Sequence, residues 1–463
     1  MAKAEGKAEG SGSGGNTQLQ WIVFLNVALY ATCYQLQRPV EPFMIEKLSK
    51  ADGQSAAEGL ASYAKLQSFF SALQMVGSIV VGRLLDRLGP RTMFLVTFVA
   101  SALSYYLLSQ ATTIEILYYS KLPTIFQAGF LCAQTTMSQI TSDGTERVTA
   151  LGRLTMAYTV GTVVGPAVGG YLGSTGDYYY GATLACYGSL LSCLLTLMLP
   201  AAGAHSASAP SPSSSSPSSS SSSLSTSNSK IPLFLHRLIP ASVVSVVVSV
   251  GGLLGLKFVS STANAMREAT MPLVLKNSFA MREQDLGLTY SGFSALNAVI
   301  NGLLLQPISK YFDGNLLTVI HVCLGFCLSA CILQAICAQP WIEASSIYNS
   351  GQGEYLLTTF IWTISSFVMS TMSTSESTSR VDKDFRGTLL GIEHSLFAAA
   401  RVAAPTAGVA ILRDHGPSGV AMAAASFFSM ILFGWHSFPS FGPPSTHAAR
   451  LTDDKDEGER KER

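Results

Sequence analysis

The sequence predicts an all-α integral membrane protein, with twelve transmembrane helices arranged as two pseudo-symmetric six-helix bundles. Three observations carry this prediction. Only 12% of the 463 residues are charged while 48% are hydrophobic, and the mean hydropathy is +0.34; a soluble domain carries about 25% charged residues. Apolar stretches of spanning length recur six times on either side of a long Ser/Pro tract. Lysine and arginine gather on alternate connections between those stretches. The balance of 29 basic against 28 acidic residues, net +1, leaves no electrostatic footprint for nucleic acid.

A spanning helix needs about 20 mostly apolar residues to cross the hydrocarbon layer. Such segments lie at residues 19–36, 66–81, 92–108, 116–140, 154–172 and 180–199, then at 253–275, 286–308, 316–338, 355–373, 389–412 and 419–438. Residues 239–252 are also apolar and are read as an extended entry to the seventh span, because a thirteenth crossing would put the termini on opposite sides. Lipid obliges each spanning backbone to satisfy its own hydrogen bonds, which selects helices. The N-terminal residues 1–18 are Gly/Ser-rich, read as a flexible tail without a cleavable signal, so the first helix is expected to act as its own insertion signal. Residues 200–237 hold a Ser/Pro tract too poor in apolar surface to fold, a tether between bundles 19–199 and 238–438. Residues 439–463 form a charged tail.

Placing the N-terminus in the cytoplasm puts 18 of the 29 basic residues on that side and six on the other, as the positive-inside rule requires. Both termini and the tether are therefore expected to be cytoplasmic; which membrane holds the chain is not encoded. Internal matches support duplication. Phe70-Ser71-Ala72-Leu73-Gln74 is echoed by Phe293-Ser294-Ala295-Leu296-Asn297. Leu151-Gly152 with Gly165-Pro166 is echoed by Leu390-Gly391 with Ala404-Pro405.

Two motifs add chemistry. Between the second and third spans stands Gly82-Arg83-Leu84-Leu85-Asp86-Arg87-Leu88-Gly89-Pro90-Arg91. Gly82 permits close helix approach, Gly89 a tight turn, and Asp86 can face the positive end of a neighbouring helix. The fifth span carries Gly161, Gly165, Pro166, Gly169 and Gly170, small residues that let helices approach closely around a proline bend. The first motif resembles the signature loop of the major facilitator superfamily, departing from it at Leu85 and Pro90. The second resembles the fifth-helix motif of members that exchange substrate for protons. Glu146-Arg147 before Ala150–Leu154, and Gly387–Gly391 with Arg401 and Pro405, are similar to the organic-cation-transporter-like branch (solute carrier family 22), itself close to tetracycline-type antiporters. The resemblance implies a secondary transporter moving a small organic solute, cationic or lipophilic, against protons by alternating access. It implies that Asp86, Arg87 and Arg91 latch the cytoplasmic gate. The second copy of the loop, residues 305–314, is degenerate, with Ser309 in place of the aspartate, and residues 25–34 lack the acid that tetracycline-type exchangers carry. Those two departures favour the alternative, a non-transporting scaffold or sensor of the same fold.

Ionisable groups inside spans are costly and mark function by default. Arg38 and Glu41 close the first span and Arg267 and Glu268 the seventh, each set beside a proline; they are expected to act as proton or substrate groups, with each arginine the partner of its neighbouring acid. Glu376, His394 and Arg401 complete the set, with Glu376 the expected partner of Arg401. Lys121 stands where the superfamily often has arginine in helix 4. Cys323, Cys327 and Cys331 form one helical stripe, read as apolar packing rather than a metal site. There is no phosphate-binding loop, metal set or nucleophile-and-base cluster, so the chain is expected to be no enzyme, to need no cofactor, and to act as a monomer on a small-molecule substrate and protons within the lipid bilayer.

Overall fold

The computed structural model describes residues 11–140, 145–199, 241–312, 315–337, 351–381 and 386–435. The start of the N-terminal tail, the Ser/Pro tether and the whole charged tail, residues 439–463, lie outside them. The regular structure of the described residues is helical, without a strand among them.

The first half opens with α1 (Ser11–Gln35) and α2 (Glu41–Ala51). Pro39 disfavours helix in the residue before it and Pro42 sits in the first turn of α2, so the chain turns at 36–40, where the expected first span ends. Helix α3 (Ala56–Leu88) starts on a capping box between Ser55 and Glu58. It ends at Gly89, whose φ of 76° suits glycine, and α4 (Pro90–Ser109) begins at once with proline in its first turn. The tight turn expected of Gly89 is therefore present.

The fourth span differs from expectation. The continuous apolar run divides into α5 (Ile114–Lys121), a 3₁₀ turn at Leu122–Phe126, and α6 (Gly129–Ile140). Pro123 removes a donor and hydropathy does not register that loss. Irregular backbone at membrane depth persists only where it is buried in protein or lines a cavity. Here Thr97, Gln74 and Tyr30 donate to the carbonyls of Phe126, Thr124 and Gln127 at 2.9, 3.0 and 3.2 Å. Helices α7 (Thr145–Ser174) and α8 (Tyr180–Leu197) complete the half.

The second half begins with α9 (Ala241–Asn277), one uninterrupted helix, so the apolar residues before 253 extend the seventh span rather than add another. Helix α10 (Glu283–Val299) passes through a π turn at Ile300–Leu304 into α11 (Leu305–Tyr311). Helices α12 (Leu316–Cys337) and α13 (Gly351–Ser379) follow. The last run, α14 (Arg386–Gly434), holds two arms that meet at Gly416, φ 68°, so the final two expected spans are separate helices. Of all these, α3, α4, α8, α12, α13 and α14 contain stretches long and apolar enough to cross a membrane by themselves. The others are broken by turns, diluted by glycine or interrupted by charge.

Each half has its own core. Phe94, Phe98, Met137 and Leu154 fill the first; Trp362, Phe428, Leu253 and the three stripe cysteines fill the second. A third cluster joins the halves, with Leu273 and Val409 packed among Leu36, Leu48 and Leu66.

Candidate functional site

A cavity of about 470 Å³ lies between the halves, within the range of small-molecule sites. Five charged side chains line it: Arg38, Glu41 and Lys121 from the first half, Glu268 and Arg401 from the second. The turn after α1 presents Arg38, and α2 begins with Glu41. Lys121 ends α5 where the fourth span breaks, while α9 and the first arm of α14 carry Glu268 and Arg401.

Glu41 is buried and doubly held. Lys121 Nζ donates to its Oε1 at 2.9 Å and Gln67 Nε2 to its Oε2 at 2.6 Å. Both partners belong to the first half. Glu268 is held from both halves: Arg401 Nη1 lies 2.8 Å from its Oε2 and Arg38 Nη2 3.6 Å. Arg38 also stacks over Tyr290 at 4.8 Å and Arg401 over Phe397 at 5.3 Å. The expected pairings are therefore corrected. Arg38 serves Glu268 rather than Glu41, and Arg401 pairs with Glu268 rather than Glu376, which bonds Arg380 one turn on at 2.6 Å. Arg267 projects away from the cavity into the second-half core, over Trp362 at 5.5 Å, with its Nε unsatisfied and no salt bridge to a carboxylate among the described residues. Neighbouring residues on a helix point about 100° apart, which separates Arg267 from Glu268.

Lys257, present among the intramembrane charges, meets Glu393 and Thr374, and Ser377 donates to Glu393 at 2.7 Å. That polar knot lies inside the second half. The side chains of Asp86 and His394 lie outside the described residues, as do those of Glu146 and Arg147. Of the rest of the loop, Arg87 is exposed, and Arg91 Nη2 donates to the Leu197 carbonyl at 2.8 Å, closing the C-terminal end of α8 within its own half.

The glycines of α7 face two ways. A Cβ on Gly165 would lie 2.7 Å from the Thr32 carbonyl, and Gly161 and Gly169 abut α1 just as closely. Gly170 meets α10 of the other half, where its added Cβ would lie 2.9 Å from the Gly287 Cα. Ser291 Oγ donates to the Val163 carbonyl at 2.6 Å across the same junction. Nearby, Lys276 of α9 bonds Glu46 and the Pro42 carbonyl of the first half. These contacts between halves gather at the end where α1 passes into α2.

Sequence reasoning missed the uncharged polar lining. Gln67 and Gln74 stand seven residues apart on α3, one face of a helix, and both reach the site. Gln127 binds Ser101 and Tyr105 beneath it. Glutamines at helical spacing in an apolar span were the available signal.

This arrangement of two helical halves around a charged cleft has a clear counterpart among known proteins. The family model described as Major Facilitator Superfamily matches residues 23–405. The chain belongs to the major facilitator superfamily. Within it, solute carrier family 22 member 18 of mouse is 24% identical over 406 residues, covering 85% of this chain and 89% of the relative. Tetracycline resistance protein class G of Vibrio anguillarum is 28% identical over 177 residues, 37% of this chain and 44% of its own. Among solved structures, the human organic anion transporter MFSD10 (TETRAN) superposes with a TM-score of 0.58 at 16% identity, over 90% of this chain and 99% of that one. The peptide transporter POT gives 0.66 at 13% identity, over 92% and 95%. The fold is thus that of the superfamily, a multi-pass integral membrane protein, and the motif resemblance to the solute carrier and tetracycline branches is matched by relatives of both kinds.

Proposed function

We propose that this superfamily member is a secondary active transporter that moves a small organic solute by alternating access, coupled to protons. The observation that carries the reading is the bridge at Glu268, whose partners Arg401 and Arg38 belong to different halves. A carboxylate shared across the cleft must lose a partner when the halves separate. Protonation weakens its hold on both arginines, so proton binding and rocking are linked at one carboxylate. The close junction of Gly170 with Gly287 supports a state shut at the α1–α2 end. With the N-terminus in the cytoplasm, that end is the outer one.

The two sequence motifs take roles consistent with this. Gly82, Asp86, Arg87, Gly89 and Arg91 would form the cytoplasmic gate, with Arg91 fixing α8 rather than the opposite half. Gly161, Gly165, Pro166, Gly169 and Gly170 would form the sliding seam. The branch likeness favours a cationic or lipophilic solute exchanged for protons, and the aromatic lining, with Tyr34, Phe70, Tyr158 and Tyr290, supports the lipophilic part.

The test is flux in reconstituted vesicles under an imposed pH gradient, with paired cationic and anionic solutes. Solute movement that dissipates the gradient, and is lost in Asp86→Ala and Glu268→Gln with folding intact, is the expected result. Absence of flux for every solute, with a partner binding the Ser/Pro tether, would replace transport by the scaffold reading.

A further inference from the structure

The charges of the cavity do not cancel. Three cationic side chains, Arg38, Lys121 and Arg401, face two carboxylates, Glu41 and Glu268. Neither carboxylate carries uncompensated charge. Glu41 has Lys121 on one oxygen and Gln67 on the other, and Glu268 has two guanidiniums on one oxygen, Oε2. An ammonium group reaching the other oxygen of Glu268 would share one negative charge with two cations already held there.

The arginines are placed differently. Each guanidinium carries five N–H donors, and the contacts recorded to Glu268 use one nitrogen of each. The side chains of Arg38 and Arg401 stay 37% and 33% exposed, toward the cavity. Both stack on aromatic faces, Tyr290 and Phe397, which fixes their planes. Behind them Arg267 adds a further buried positive charge that forms no salt bridge among the described residues and shares the field of Glu268.

We infer that Arg38 and Arg401 form a subsite for an anionic group, a carboxylate or its equivalent on an aromatic body, and that Glu268 holds this subsite when no substrate is present. The inference rests on reading the cavity as a transport site. It departs from the branch likeness in the sign of the charge it selects. The substrate anion takes the fork donors that Glu268 leaves unused, or takes its place outright. Tyr34, Phe70 and Tyr158, which line the same cavity, supply flat apolar surface for the ring system. Because the two arginines come from different halves, an anion bound between them replaces the bridge that Glu268 supplies when empty.

The experiment uses the full chain in lipid nanodiscs and three probes of one shape: 2-naphthoate, 2-naphthamide and 2-naphthylmethylammonium. Binding is read by naphthalene fluorescence, and flux of each probe is measured separately in vesicles. Naphthoate should bind at least about tenfold more tightly than the other two. Arg401→Gln and Arg38→Gln should each weaken it by roughly ten- to a hundredfold, the range for a hydrogen bond to a charged group. Arg401→Lys should restore part of the loss, since charge is kept but the fork is not. Glu268→Gln, which removes the competing charge, should tighten naphthoate binding severalfold. Thermal unfolding identifies variants that fail to fold, and Arg401→Lys is then the deciding one. Preference for the ammonium probe, unchanged naphthoate binding in folded Arg401→Gln, or no binding by any probe would overturn the subsite. Tight naphthoate binding without flux would leave the subsite standing and remove the transport reading instead.

Discussion

Glu41 and Glu268 invite comparison because they sit at corresponding places in the two halves, near the ends of the first and seventh spans and one and four residues before a proline. Their surroundings differ. Glu41 is closed in by Lys121 and Gln67 of its own half; Glu268 is shared between Arg401 of its own half and Arg38 of the other. Under the proposed alternating access, rocking of one half against the other leaves the first set intact and breaks the second. The two acids at matching positions are thus assigned different work, one structural and one moving.

The sharpest way to break this contrast is to remove the lysine of the closed pair. Lys121→Met leaves Glu41 buried with Gln67 alone, and loss of one partner of a buried pair costs about 3–5 kcal/mol. A lowered unfolding temperature in nanodiscs is expected, largely recovered in Lys121→Met with Glu41→Gln. Glu268→Gln, in a more open setting, is expected to change stability by less while abolishing proton-linked exchange. Equal destabilisation by the two single changes would erase the distinction.

The second comparison is between glycines. Gly287→Ala pushes a methyl against the Gly170 and Pro166 backbone across the two halves, whereas Gly169→Ala pushes one against α1 within the first half. Overpacking costs about 1–3 kcal/mol in either place. Only Gly287→Ala should open the junction, read as faster modification of Ser291→Cys by an impermeant maleimide. If Gly169→Ala opened it equally, α7 would not be a seam between rigid halves.

The smallest effect belongs to the rim. Glu46 is held below its ordinary pKa by hydrogen bonds from Lys276 and then Lys50. A depressed carboxyl contributes fully above its unpaired pKa and loses that contribution only as pH falls through the lowered value. The Glu46–Lys276 tie should therefore persist from neutral pH down to about pH 5. Since Glu46 is 41% exposed, Lys276→Gln should cost no more than about 1 kcal/mol. The difference in unfolding temperature between the unaltered chain and Lys276→Gln should stay constant across that range; a difference that changed with pH would assign the rim a sensing role.

Most of the helical frame was legible because lipid imposes one rule on every crossing, a long apolar run. The breaks were not legible by that rule. Residues 122–128 leave hydropathy nearly unchanged, and only Pro123 and Gly129 hinted at the break there, whereas the polar Gln37-Arg38-Pro39 marked the end of the first span. The charged residues of the site were visible individually, since each stands out in an apolar span, but their partners were not. Arg38 and Glu268 are 230 residues apart in the chain, and nearness in sequence suggested Glu41 and Arg267 instead. Helical phase also decides: Glu268 faces the cleft while Arg267, one position earlier, enters the core.

Arg91 carries a mechanical consequence. Its guanidinium starts from the first turn of α4 and ends on the last carbonyl of α8, so two helix ends that are distant in sequence are clasped together. Bending between them would strip an otherwise orphaned carbonyl of its donor. In the proposed transport cycle the third and sixth spans therefore move together at this end, and the flexing falls on the connections outside that clasp.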